Sequence, residues 1–147
     1  MSAPSISEVK RIRHKLNLTQ SQMAQLLGIT LRAYQKREDV MKTRKTEFEM
    51  LQLLAGEHDL YVVSSKDPSK SPIEGWVMDD STHEELRAIR EILGLTIAQM
   101  AELTGYARSG WNTKELPDQG TTVRPGEYNY LMLLANKHPN LYIYDRE

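Results

Sequence analysis

The sequence predicts an all-α protein, organised as two tandem bundles of four to five short helices, each followed by a short β-strand. Residues 8–38 and 85–115 are one segment written twice at an offset of 77, with Ile12/Ile89, Arg13/Arg90, Thr19/Thr96, Gly28/Gly105 and Glu38/Glu115 among the identities. Residues 47–63 match 127–144 after a loop that is longer in the second copy, one residue being inserted near Pro139. Within each copy, apolar residues recur at helical spacing between capping signals and glycine stops.

The first helix is expected to start at Ser5-Ile-Ser-Glu8 in one copy and at Thr82-His-Glu-Glu85 in the other, because a hydroxyl and a Glu three residues apart satisfy two orphan amides reciprocally. Val9, Ile12 and Leu16, matched by Leu86, Ile89 and Leu93, give that helix an apolar face, and Lys10, Arg11, Arg13 and Lys15 give it a charged one. Thr19 and Gln22, like Thr96 and Gln99, open a second helix through Met23, Ala24, Leu26 and Leu27 that stops at Gly28, or Gly105 in the copy. Thr30 caps a third helix almost at once, and helix, tight glycine turn, helix is a DNA-reading arrangement. Thr46 to Glu49 is expected to cap a fourth, largely apolar helix ending at Gly56. The runs Leu60–Val63 and Leu141–Tyr144 are β-prone and too short to stand alone, so they need a partner: each other or a second subunit.

These elements divide the chain into a first domain at 1–63, a linker at 64–80 rich in Ser, Pro and charge, and a second domain at 81–147. Each domain, at roughly 60 to 65 residues, is near the lower limit for a self-sufficient core and is expected to lean on its twin or on another chain. Trp76, Val77 and Met78 read as an anchoring segment.

The net charge of −1 hides an asymmetry. Residues 1–65 carry 10 Lys/Arg against 7 Asp/Glu, whereas residues 66–147 carry 9 against 13. A nucleic-acid backbone attracts the first half and is indifferent or hostile to the second. Without cysteine the chain has no disulfide framework, thiol nucleophile or Cys-based zinc site, and no leader-like or membrane-spanning run stands out, so a cytoplasmic protein is expected.

The run LTQSQMAQLLGIT followed by a short helix and Glu38 resembles the lambda repressor/Cro-like helix-turn-helix family, also called the xenobiotic-response-element family. Residues 86–142 resemble it too, and their ending, Arg124-Pro-Gly and then Leu133 to Leu141, is similar to the antitoxin branch of the family. The resemblance implies that Leu31, Arg32, Gln35 and Lys36 in the first unit, and Arg108, Ser109, Asn112 and Thr113 in the second, face base edges in the major groove. It also implies that Thr19, Gln20, Arg37, Lys42, Arg44 and Lys45 hold backbone phosphates. The second unit departs from the pattern: Ile97 replaces Gln20, Ala107 replaces the capping Thr30, and Gly110 interrupts the third helix at about 1 kcal/mol relative to Ala.

Other features have plainer readings. Tyr34 and Trp111 hold the same place in the third helix and suit core packing. The run Lys10 to Lys15 is a solvated helix face that steers association. His14, His58, His83 and His138 lack metal-ligand spacing, and Glu84–Glu85 and Asp79–Asp80 suit capping and solvation. With no phosphate loop or nucleophile elbow, the chain is not expected to be an enzyme or to carry a cofactor. The expected role is a sequence-specific regulator of double-stranded DNA, a repressor acting on an inverted-repeat operator as a homodimer paired through its strands and fourth helices. The alternatives are an antitoxin with a toxin partner and an adaptor that uses both units for protein contacts.

Overall fold

The computed structural model describes residues 6–39, 45–117 and 122–146. It is mainly α-helical with one small sheet, in the order α1 (Ile6–Lys15), α2 (Gln20–Leu27), α3 (Leu31–Asp39), α4 (Lys45–Leu54), β1 (Tyr61–Ser65), α5 (His83–Leu93), α6 (Ile97–Thr104), α7 (Arg108–Glu115), α8 (Pro125–Leu134) and β2 (Leu141–Asp145). Each half repeats four helices and a strand. A single 3-10 turn, Ile73–Gly75, lies between the halves. No helix among the described residues is long and apolar enough to cross a membrane.

The local signals act where the sequence puts them. Thr19, Thr82 and Thr96 each form a complete capping box with the residue three places on, while Gly28, Gly94 and Gly105 end their helices in the left-handed region. Thr30 Oγ1 accepts the Ala33 amide at the start of α3. The start expected at Ser5 lies outside the described residues. Thr46 departs from expectation: α4 begins one residue earlier, and Thr46, fully buried, donates instead to Glu127 Oε1 at 2.7 Å in the other half. With α4 already begun at Lys45, Thr46 lies inside the helix rather than before it, and its hydroxyl proton satisfies the buried carboxylate opposite.

The two strands pair with each other, antiparallel, in the register Tyr61↔Asp145, Val62↔Tyr144, Val63↔Ile143, Ser64↔Tyr142 and Ser65↔Leu141. In the repeat Val62 corresponds to Ile143 and Val63 to Tyr144, so the two central pairs are equivalents of one another. A register unchanged by exchanging the copies is isologous, as across a two-fold axis. The helices obey the same relation. Pro125, first in α8, packs against Gly28 at the end of α2, and Lys45, first in α4, packs against Gly105 at the end of α6. The strands thus take one of the two partners expected of them, each other, and the fourth helices, expected with the strands to offer a surface for a second subunit, also pack together inside one chain.

Two cores follow, and the first is shared. Val9, Ile12, Met23, Leu27 and Tyr34 pack with Trp76, Tyr130, Leu133 and Leu141 from beyond the first repeat. Leu86, Ile89, Met100, Trp111 and Leu131 centre the second. Helix α8 touches both, which is why Pro125 through Leu133 are all buried and no polar face is visible in it. The segment between the halves is anchored by Trp76, whose indole donates to the Leu26 carbonyl at 2.9 Å.

The charged face of α1 is less free than its sequence suggests. Arg11 and Lys15 both reach Glu57, at 2.7 and 2.9 Å, and the pair of cations pulls that carboxyl down to about 2. Arg13 turns inward.

Candidate nucleic-acid interface

Helix α3 presents two different faces. Its inner face holds Tyr34, fully buried, and Glu38, 4% exposed. The Tyr34 hydroxyl donates to Glu38 Oε2 at 2.6 Å, Arg13 Nε donates to the same oxygen at 2.7 Å, and Gln20 Nε2 donates to Oε1 at 2.9 Å. Burial pushes the Glu38 carboxyl up, but these hydrogen bonds outweigh it and hold the group below its ordinary range. Burial and the same carboxylate push the Tyr34 hydroxyl well above its ordinary value, so it stays a donor. The guanidinium of Arg13 also holds the Leu18 carbonyl, tying α1 and the α1–α2 turn to α3.

The outer face carries Leu31, 42% exposed, together with exposed Arg32, Gln35 and Lys36. All four side chains expected to read bases therefore share accessible surface, on a helix fixed from behind by a buried ion pair. Broken on one side, such a pair strands a buried charge, so the helix is held firmly in one orientation.

The phosphate-binding expectations divide. Thr19 is exposed at the start of α2, its hydroxyl engaged as a cap. Gln20 spans from Glu38 to Gln35, whose Nε2 donates to Gln20 Oε1 at 3.3 Å, so it positions α3 against α2. Arg37 turns from the outer face to Glu47 at 3.1 Å, a carboxylate 1% exposed. Lys45 reaches the Glu102 carbonyl at 3.5 Å in the other half. Lys42 and Arg44 lie outside the described residues.

Helix α7 repeats the construction with different residues. Trp111, fully buried, donates from Nε1 to Glu115 Oε2 at 2.6 Å, in place of the tyrosine hydroxyl. Arg90 grips the same carboxylate with Nε at 2.7 Å and Nη2 at 3.0 Å, and its Nη1 holds the Leu95 carbonyl. Arg108, Ser109 and Asn112 are exposed, while Thr113 is half-buried and donates back to the Ser109 carbonyl at 2.9 Å. Lys114 lies 4.6 Å from the ring centre of Tyr106.

The pair Glu38 and Glu115 went unassigned in the sequence, although the signal was there. Both acids, and Arg13 and Arg90 with them, are identical across the repeat, and each acid stands four residues after an aromatic donor. Among the described residues no three His, Cys, Asp or Glu converge as a metal site would require. His58 and His138 are buried beneath the strands, each Nδ1 accepting two backbone amides, from Leu60 and Tyr61 or from Asn140 and Leu141. They are turn-forming groups.

Compared with family models, curated proteins and solved structures, the chain matches none.

Proposed function

We propose that each half is a helix-turn-helix unit of the lambda repressor/Cro-like kind, and that the chain is a sequence-specific DNA-binding transcriptional regulator, a repressor of a phage, plasmid or mobile-element promoter. The observation that carries this reading is the exposed set Leu31, Arg32, Gln35 and Lys36, backed by the buried Arg13–Glu38–Tyr34 group. Arg and Lys bind guanine O6 and N7, Gln binds adenine bidentately, and an aliphatic tip meets a thymine methyl. One short helix thus offers contacts for guanine, adenine and thymine, in the half of the chain with the cationic excess.

The test is fluorescence anisotropy of the whole chain on the DNA upstream of its own gene and on a scrambled duplex, across a salt series. Tight binding to the upstream DNA, with Arg32→Ala/Lys36→Ala at least tenfold weaker, is the expected result, since each good base contact is worth about 1–3 kcal/mol. Equal and weak binding to both duplexes overturns the reading.

A toxin-neutralising role is the second reading, favoured by the exposed Tyr142 and Tyr144, whose rings lie 6.1 Å apart on the outer face of the sheet. They lie just beyond the antitoxin-like ending, in which Leu133, His138 and Leu141 are buried. Co-purification of the product of an adjacent toxin-sized reading frame, lost in Tyr142→Ser/Tyr144→Ser, would support it.

A further inference from the structure

We infer that one chain reads a whole operator by itself, and that this operator is an inverted repeat with two unlike halves, one contacted by Leu31, Arg32, Gln35 and Lys36 of α3 and the other by Arg108, Ser109 and Asn112 of α7. The inference rests on the DNA-binding reading above and goes beyond it in stoichiometry and in the form of the site.

The argument begins with the symmetry of the internal pairing. The strand register is unchanged when the copies are exchanged, and the α2–α8 and α6–α4 contacts are reciprocal. Such pairing is that of a two-fold dimer, here between two halves of one chain. A two-fold axis leaves height along itself unchanged. Helices α3 and α7, being equivalents, therefore stand at equal height, and equivalent faces look the same way along the axis. Duplex DNA has local two-fold axes of its own, and proteins of this symmetry meet it axis on axis, with half-sites one helical turn apart.

Both helices are also fixed in the same way. Each has a buried aromatic donor and a buried arginine on one carboxylate, Tyr34 and Arg13 on Glu38, Trp111 and Arg90 on Glu115. That preserves the pose of α7 even though its residues have diverged. The side chains displayed are not the same. Arg32, Gln35 and Lys36 favour guanine and adenine contacts, whereas Arg108 and Asn112 offer one of each with Ser109 between. Two unlike readers on one axis fit an imperfect palindrome. A symmetric homodimer would instead need a second pairing surface, and the strands and fourth helices that could supply one are used within the chain.

The second half binds less strongly. Its charge is negative, and Ile97 stands where Gln20 links α2 to α3 in the first. Its half-site is therefore the more tolerant of change.

The experiment is enrichment of a randomised duplex library, about 26 base pairs long so as to hold two half-sites a turn apart, on the full-length chain, with native mass spectrometry of the enriched complex. The expected result is one chain per duplex and two different half-sites. Arg32→Ala/Lys36→Ala then relaxes the bases of one half alone, and Arg108→Ala/Asn112→Ala those of the other, with a loss of affinity roughly tenfold or more for the first pair and smaller for the second. All four side chains are exposed, so unchanged thermal unfolding is the control for folding. A single enriched half-site indifferent to Arg108→Ala/Asn112→Ala overturns the inference and leaves DNA binding standing. Two chains on a symmetric duplex does the same. No enrichment at low salt overturns both.

Discussion

The ring of Pro125 closes over Gly28, so that a Cβ on the glycine would collide with it. Gly28 ends α2 in the left-handed region at φ +70°, and Pro125 begins α8 in the other half of the chain. Gly94 has the same φ of +70° with nothing near the place its Cβ would take. Gly28→Ala should therefore cost the left-handed strain common to both, roughly 1–2 kcal/mol, and a further loss from displacing α8. Chemical denaturation of Gly28→Ala and Gly94→Ala side by side measures that difference, and equal losses would refute the docking.

Gly110 offers the opposite outcome. It lies inside α7 with open space where a Cβ would go. Gly110→Ala should stabilise the chain by about 0.5–1 kcal/mol, through helix propensity and a less mobile unfolded chain. The measurement is the unfolding midpoint, with DNA affinity as a check that α7 keeps its pose.

Leu141 belongs to β2 yet is buried in the core of the first half. Leu141→Ala should cost about 2–5 kcal/mol, and the whole chain should still unfold in one transition. Separate transitions for the tryptophans, Trp76 in the first core and Trp111 in the second, would show that the halves are thermodynamically independent.

His138 links stability to pH. Burial lowers its ring to about 4 from an ordinary 6.5, with Lys66 adding to the effect. The unfolded ring takes up a proton as pH falls past 6.5 while the folded one does not until about 4, so this group withdraws stability across that interval and no more below it. His138→Asn keeps an acceptor for the Asn140 and Leu141 amides, so the slope of unfolding free energy between pH 6.5 and 4 should flatten in that variant, even if it is less stable at neutrality.

Much of this arrangement was legible from local chemistry. The capping boxes at Thr19, Thr82 and Thr96 and the stops at Gly28 and Gly105 are decided within four residues, so their signals survive outside the fold. Tyr34 and Trp111 were readable as core from their shared position in the repeat. What could not be read is what depends on the other half. Lys45 and Thr46 look like a free cation and a cap in sequence; the Glu102 carbonyl and Glu127 take them up only after α4 has met α6 and α8, while Arg37 is taken up by Glu47 once α3 and α4 pack within the first half. The register of five-residue strands is likewise invisible until the copies are superposed.

The sheet has one more consequence, in time rather than in space. β1 is made about 80 residues before β2, since Ser65 pairs with Leu141 and Tyr61 with Asp145. At about 5 to 20 residues per second, the first half waits roughly 4 to 16 seconds with its apolar fourth helix and one strand uncovered. During synthesis the nascent chain is thus a half-built molecule with an open flank, and chaperones have their opportunity in that interval.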